Sequence, residues 1–236
     1  MAHSINYHTL RVPKETAHVN YLASKFRTLR LHALQTSPNS FAAAYADEVT
    51  LPLLAWTRRL EQTGKEIFIC KATPMNRSPT ANDNDGDLDL LLLGEWIGMF
   101  TLCGPTPLSG FYLPLSGHTP GPEASETRWH MTALYTSPAH RGRGLAKKLI
   151  DASMRFARDY SGSLGPEVRT RLRLVVHPNN VVVKGLYGGL GFEDAGRCTL
   201  LEAYVASGEG KLVPVEGERD PGKWDDRIGV CMECLI

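Results

Sequence analysis

The sequence contains no hydrophobic run long enough to cross a membrane. Its leucine run, Leu90–Leu93, falls far short of the roughly 18–20 residues a span requires. It has no excess of charge of one sign. Lysine plus arginine number 26 and aspartate plus glutamate 25, a formal net charge of +1, which argues against a dedicated nucleic-acid binder while allowing a local basic pocket. Cysteines are few. The five present (Cys70, Cys103, Cys198, Cys231, Cys234) are odd in number and scattered, the pattern of reduced thiols, so the expected location is the cytoplasm, with the nucleus also open. The opening MAHSINYHTLRV lacks the basic start and apolar block of a secretory signal. Internal repeats are absent. Cys231-Met-Glu-Cys234 is a lone CxxC without the second ligand pair of a zinc site, so no metal is expected. What is present, 236 residues of which 42% are hydrophobic and 22% charged, suits one globular domain over 1–236 with a sizeable core.

Periodicity divides the chain into strands and helices. Residues 5–12, INYHTLRV, alternate as an opening strand. Thr16 is placed to cap a helix with Val19, Leu22, Phe26, Leu29 and Ala33 on one face, stopped by Ser37-Pro38-Asn39. A second helix includes Leu53–Glu61, and Glu66–Lys71 reads as a short strand. The polar stretch 73–88 reads as a mobile loop. Within it, Asp83–Asp87 has the look of a calcium loop, but the two key ligand positions fall on Ala81 and Leu92. Leu91–Leu102 is expected as a strand, 104–122 as a long loop and Trp129–Thr136 as a strand. A helix from Gly144 to Tyr160 follows, with Leu145, Leu149, Ala152, Phe156 and Tyr160 inward. Arg171–His177 is a strand, with Arg169, Arg171 and Arg173 expected on an exposed face, and Asn180–Leu190 a short helix. Trp56 and Phe41 read as core. Residues 193–236 form an extension ending in the apolar strand Arg227–Ile236. A free apolar edge invites aggregation, so this strand either tucks into its own sheet or helps build a homodimer.

The chemistry concentrates in residues 133–150, ALYTSPAHRGRGLAKKLI. An apolar strand runs through Arg141-Gly142-Arg143-Gly144-Leu145-Ala146 into an amphipathic helix. Glycines permit close approach to the backbone. The first amides of a helix are unpaired, and its dipole favours an anion there. A strand, a glycine-rich turn and a helix therefore suit a phosphate or pyrophosphate. The spacing is neither that of a P-loop nor, with Lys147 at the sixth position, that of a dinucleotide fingerprint.

Read as R-x-x-G-x-A on Arg141, Gly144 and Ala146, the segment resembles the acyl-CoA pyrophosphate loop of the GNAT superfamily of N-acetyltransferases. Downstream, Asn180, Val183, Leu186, Tyr187, Gly191 and Phe192 are similar to that family's N-x-x-A-x-x-L-Y-x-x-x-G-F signature, with Val183 in place of alanine. The resemblance is specific over about 129–192. Over 11–104 it is looser, where FRTLRLHALQTSPNSFAAAYADE and GEWIGMFTL resemble fungal-type members. It implies an α/β (α+β) fold with a central mixed, twisted sheet of about seven strands, splayed in a V and flanked by helices. It implies transfer of an acetyl group from acetyl-CoA to a primary amine by direct attack in a ternary complex. A reading of another class is a non-catalytic acyl-CoA-binding sensor or scaffold of the same fold; a sensor has no need of an acid at Tyr187.

Carried over by position, the resemblance implies that the backbone of Leu134, Tyr135 and Thr136 pairs with the pantetheine arm, and that Leu134–Tyr135 supplies an oxyanion donor. Amides from Arg141 to Ala146 would hold the pyrophosphate. Asn180 would bond the pantetheine, and the Tyr187 hydroxyl would protonate the leaving thiolate. Where the histone-acetylating branch has its glutamate base, this chain has His130, which titrates near neutrality and is the candidate base, with Glu48, Glu95 and Glu126 behind it.

Overall fold

Strand alternation at the start of the chain and 3.6-residue periodicity after it set the first elements. The computed structural model describes residues 5–74, 86–116 and 118–236. In chain order these form β1 (Ile5–Arg11), α1 (Val19–Thr36), α2 (Tyr45–Val49), α3 (Leu53–Glu61), β2 (Lys65–Pro74), α4 (Gly86–Leu92), β3 (Glu95–Cys103), α5 (Leu108–Phe111), β4 (Glu126–Thr136), α6 (Leu145–Leu164), β5 (Arg169–Val176), α7 (Val181–Gly188), β6 (Glu193–Thr199), α8 (Leu200–Ala206), α9 (Pro221–Trp224) and β7 (Ile228–Leu235). The strands form one mixed seven-stranded sheet in the order β1-β2-β3-β4-β5-β7-β6. The chain forms two compact units, Met1–Thr101 with Ala133–Ser153, and Leu102–Thr132 with Met154–Ile236.

In the first unit, β1 pairs antiparallel with β2 from Ile5↔Pro74 to Arg11↔Phe68. α1 buries Leu22, Ala23, Phe26, Leu29, Ala33 and Leu34, a three-to-four spacing that makes one apolar stripe. Trp56 of α3 is fully buried, with its ring edge-on to Phe26 at 6.0 Å, and Phe41 joins the same core. The cap position of α1 is His18 rather than Thr16, whose hydroxyl accepts the His18 amide instead. The strand expected from Leu91 starts later: α4 runs to Leu92 and β3 starts at Glu95. Lys25 ends α4 by donating to the carbonyls of Leu91, Leu92 and Gly94, and Gly94 takes the positive φ (74°) of the turn. Burial, then Lys71, pushes the Lys25 ammonium down to about 8. Of the expected loop 73–88, residues 75–85 lie outside the described residues; β2 extends to Pro74 on one side and α4 starts at Gly86 on the other.

In the second unit, β4 pairs parallel with β5 from Glu126↔Arg169 to His130↔Arg173. β7 lies antiparallel to β5 on one edge and to β6 on the other. Both edges of the terminal strand are thus satisfied within the chain. Of the two arrangements expected for Arg227–Ile236, the strand takes the one in which it tucks into its own sheet. The expectation for Arg171 and Arg173 is corrected. They are buried (8% and 0% exposed), because Glu126 and Glu233 face them across the sheet. The buried face of α6 is Leu145, Leu149, Ile150, Ser153, Ala157 and Ser161, while Tyr160 is 37% exposed. The rotation follows from polar pairing: the Ser161 hydroxyl lies 2.6 Å from that of Thr127 and 2.7 Å from that of Thr170. The segment expected as loop, 104–122, carries the short helix α5.

Candidate functional site

The glycine-rich turn belongs to the first unit. β4 ends at Thr136, and the Ser137 amide donates to the Ile97 carbonyl (2.7 Å), fixing the strand's exit. Gly142 and Gly144 have φ of 74° and 71°, values that residues with a Cβ rarely adopt. A Cβ at either would meet nothing within 4 Å, so conformation rather than protein crowding requires glycine there, and the space above the backbone is open. Leu145 is buried and starts the 20-residue α6, leaving its opening amides at the turn. Gly142, Arg143 and Gly144 are exposed, and so are Lys147 and Lys148. An open turn at a helix start, flanked by exposed cations, suits an anionic group such as a phosphate.

The two arginines of the turn differ. Arg141 donates from Nε to the Thr136 carbonyl and from Nη2 to the Ser37 hydroxyl, both at 3.0 Å, and so staples the turn to the end of β4 and to the end of α1. Arg143 lies over the Tyr7 ring, 5.8 Å from its centroid.

β4 carries the one positive φ among the described residues other than glycine, Ala133 at 56°. A left-handed alanine costs on the order of 1 kcal/mol or more and persists only where its surroundings enforce it. It lies immediately before Leu134 and Tyr135, the expected oxyanion donors. No sequence signal marks Ala133. The Tyr135 side chain is structural: it is buried, its hydroxyl lies 2.9 Å from that of Thr36, and His32 and Phe41 flank the ring. Only its backbone is left for a ligand. Leu134 and Thr136 are half-buried.

The second unit holds Asn180, Tyr187 and His130. Asn180 caps α7, its Oδ1 accepting the Val183 amide at 3.2 Å, which leaves its amide NH₂ for other bonds. Tyr187 follows on α7, 3% exposed, edge-on to Phe192 at 5.2 Å. Burial raises its phenol well above the usual value, so the hydroxyl keeps its proton at neutral pH.

His130 is closed in. It is 1% exposed, tilted against Phe111 at 5.3 Å, and its Nε2 has no hydrogen-bond partner among the described residues. Burial, then the Arg173 charge, pushes its imidazolium down to about 3. These features count against its service as a base near neutral pH. Its surroundings are an ionic layer. Arg171 donates to Glu126 at 2.9 and 3.0 Å and to Glu233 at 3.0 Å; Arg173 donates to Glu233 at 2.6 Å. The segment before β4 closes over the layer: Gly121 donates its amide to Glu126, Arg128 bonds Glu123 and the Gly121 carbonyl, and Arg173 bonds the Phe111 carbonyl while lying on the Phe111 ring at 3.7 Å. Glu126 is thereby committed to structure. So is Glu48 in the first unit: burial alone would raise its carboxyl, but Arg30 and Arg59 hold it below the ordinary range. Glu95 is exposed at the start of β3. Cys231 packs beside Cys198, and no group of His, Cys, Asp or Glu among the described residues is arranged to hold a metal.

A family model described as the acetyltransferase (GNAT) family matches residues 77–192. No curated protein matches the chain. Among solved structures, a putative acetyltransferase from Acinetobacter baylyi is 12% identical with a TM-score of 0.55, covering 99% of this chain and 94% of that one. Arabidopsis thaliana NAA60 in complex with acetyl-CoA is 14% identical with a TM-score of 0.52, covering 99% of both chains. An acetyltransferase of the GNAT family from Streptococcus pneumoniae is 12% identical with a TM-score of 0.50, covering 99% and 100%. At these identities the structural likeness is one of fold.

Proposed function

The chain belongs to the acetyltransferase (GNAT) family, with acetyl-CoA as its co-substrate, and from that premise we propose that it acetylates a primary amine by direct attack within a ternary complex. The observation that carries this reading is the open, left-handed Gly142–Gly144 turn at the head of α6. Its amides from Gly142 to Ala146 take the pyrophosphate, while that of Arg141 already donates to the Pro138 carbonyl at 3.3 Å. The backbone of Leu134, Tyr135 and Thr136 and the free amide of Asn180 take the pantetheine.

In the reaction, the neutral amine nitrogen forms a bond to the thioester carbonyl carbon, and the carbonyl oxygen gains charge that a backbone amide at Leu134–Tyr135 stabilises. The C–S bond then breaks, the leaving thiolate takes a proton from the Tyr187 hydroxyl, which burial keeps protonated, and the acylated nitrogen sheds its extra proton through water, which returns one to Tyr187. His130 is not given the base role; the acceptor loses its ammonium proton to solvent. An intracellular location, cytoplasmic or nuclear, completes the reading and rests on the odd, scattered cysteines.

The test is an amine panel with acetyl-CoA, read by release of free CoA thiol, for the wild type and Tyr187→Phe. The wild type should turn over with at least one amine. Tyr187→Phe should fold and bind CoA as before but lose roughly 10²-fold in kcat. Tight CoA binding with no turnover on any amine would favour the sensor reading instead.

A further inference from the structure

We propose that Tyr7, on the first strand of the chain, is a positioning residue that aims Arg143 at the 3′-phosphate of CoA, and that this pair makes the protein select CoA over its dephosphorylated form. The inference rests on the acetyl-CoA reading above and adds to it a division of labour between two arginines two residues apart.

Arg141 spends its donors on the Thr136 carbonyl and the Ser37 hydroxyl. For Arg143, no hydrogen bond or ion pair is found among the described residues. It is nevertheless not loose: its guanidinium lies 5.8 Å from the centre of the Tyr7 ring, a cation–π distance. Tyr7 is fixed in turn. It sits in the β1 ladder opposite Ala72, its hydroxyl lies 3.2 Å from His140 Nδ1, and its ring stands edge-on to the His140 ring at 5.8 Å. One side chain from β1 therefore grips both His140, just before the turn, and Arg143, inside it. A guanidinium left on an aromatic face keeps its planar fork of donors unclaimed, and that fork matches a phosphate.

CoA carries three phosphates. The turn's amides and the head of α6 account for the two of the pyrophosphate. Arg143 is drawn sideways, onto a different strand, and the anion left for it is the ribose 3′-phosphate. Packing Arg143 on Tyr7 also limits the rotamer freedom lost when the phosphate arrives.

Calorimetric titration with CoA and with 3′-dephospho-CoA tests this on the wild type, Arg143→Gln, Tyr7→Leu and Tyr7→Phe, each checked for folding by circular dichroism. The wild type should bind CoA about tenfold or more tighter than dephospho-CoA, as a charge-assisted contact implies. Arg143→Gln should lose most of that preference with its dephospho-CoA affinity little changed. Tyr7→Leu should lose it too, while Tyr7→Phe, which keeps the ring, should retain most of it. If Tyr7→Leu weakens both ligands equally, Tyr7 only supports the turn and the proposal fails. It fails equally if Arg143→Gln keeps the full preference or the wild type shows none. A wild type that binds neither ligand instead sinks the acetyl-CoA reading itself. Arg143 is exposed, so its variant remains decisive should Tyr7→Leu not fold.

Discussion

Two arginine-rich regions of this molecule use the same side chain in opposite ways. At the Arg141–Ala146 turn the arginines are exposed, the backbone is held open by two left-handed glycines, and the charge is left for a ligand. In the layer of β4, β5 and β7, Arg128, Arg171 and Arg173 are buried and their charge is consumed by Glu126, Glu233 and Glu123. Binding capacity follows from what each cation has already been paired with. The layer is a self-neutralising clamp that holds the segment from Phe111 to Glu123 over β4, and it removes His130 from water in doing so.

The largest test of that contrast removes a carboxylate from the clamp. Glu233→Ala leaves Arg173 without a carboxylate in a buried layer and Arg171 with Glu126 alone, and should cost about 3–5 kcal/mol in urea unfolding, the usual penalty of a broken buried pair. A loss within ordinary surface scatter would mean that water already reaches the layer.

The next is a pH dependence at the same place. His130 is lowered to about 3 from 6.5. The native protein then binds fewer protons than the unfolded chain between those values, so this component of stability is complete above about pH 6.5 and falls as the pH drops toward 3. His130→Leu removes it. Unfolding midpoints at pH 7 and pH 4 should show the variant gaining on the wild type at the lower pH, by up to a few kcal/mol. A constant difference between the two proteins would place His130 in a wetter site.

The smallest concerns the exposed end of the clamp. The Glu123 side chain is 63% exposed where it meets Arg128. The Leu108 amide, and after it Arg128, hold its carboxyl below the usual value. Glu123→Ala should leave the unfolding midpoint essentially unmoved. A large shift would show that the clamp closes from its rim rather than from its buried carboxylates.

The same contrast explains what the sequence made legible. The turn was readable because its requirements are local: positive φ demands glycine, a helix must start, and the strand and helix on either side show their periodicity. Asn180 and Tyr187 stand out through the resemblance of their segment to the GNAT signature, and their placement on one short helix, Asn180 as its cap, follows from local spacing. The ionic layer was not. Arg171 and Arg173 alternate as surface residues do, and what buries them is Glu126 and Glu233, tens of residues away and brought opposite by strand pairing. The partners of β7 were hidden likewise, because an apolar strand does not declare which edges it will fill. Ala133 and Tyr7 gave no local signal, since the strain at one and the grip of the other exist only once the strands are assembled.

The central claim is that the Gly142–Gly144 turn holds the CoA ligand through its backbone, and calorimetric titration of acetyl-CoA into the wild type and Gly144→Asp tests it most directly. Aspartate would bring a Cβ to a φ of 71° and a negative charge to the site of the pyrophosphate. The wild type should bind at one site, and the folded variant should lose at least about 2 kcal/mol of binding. Unchanged affinity in a folded Gly144→Asp protein would contradict it.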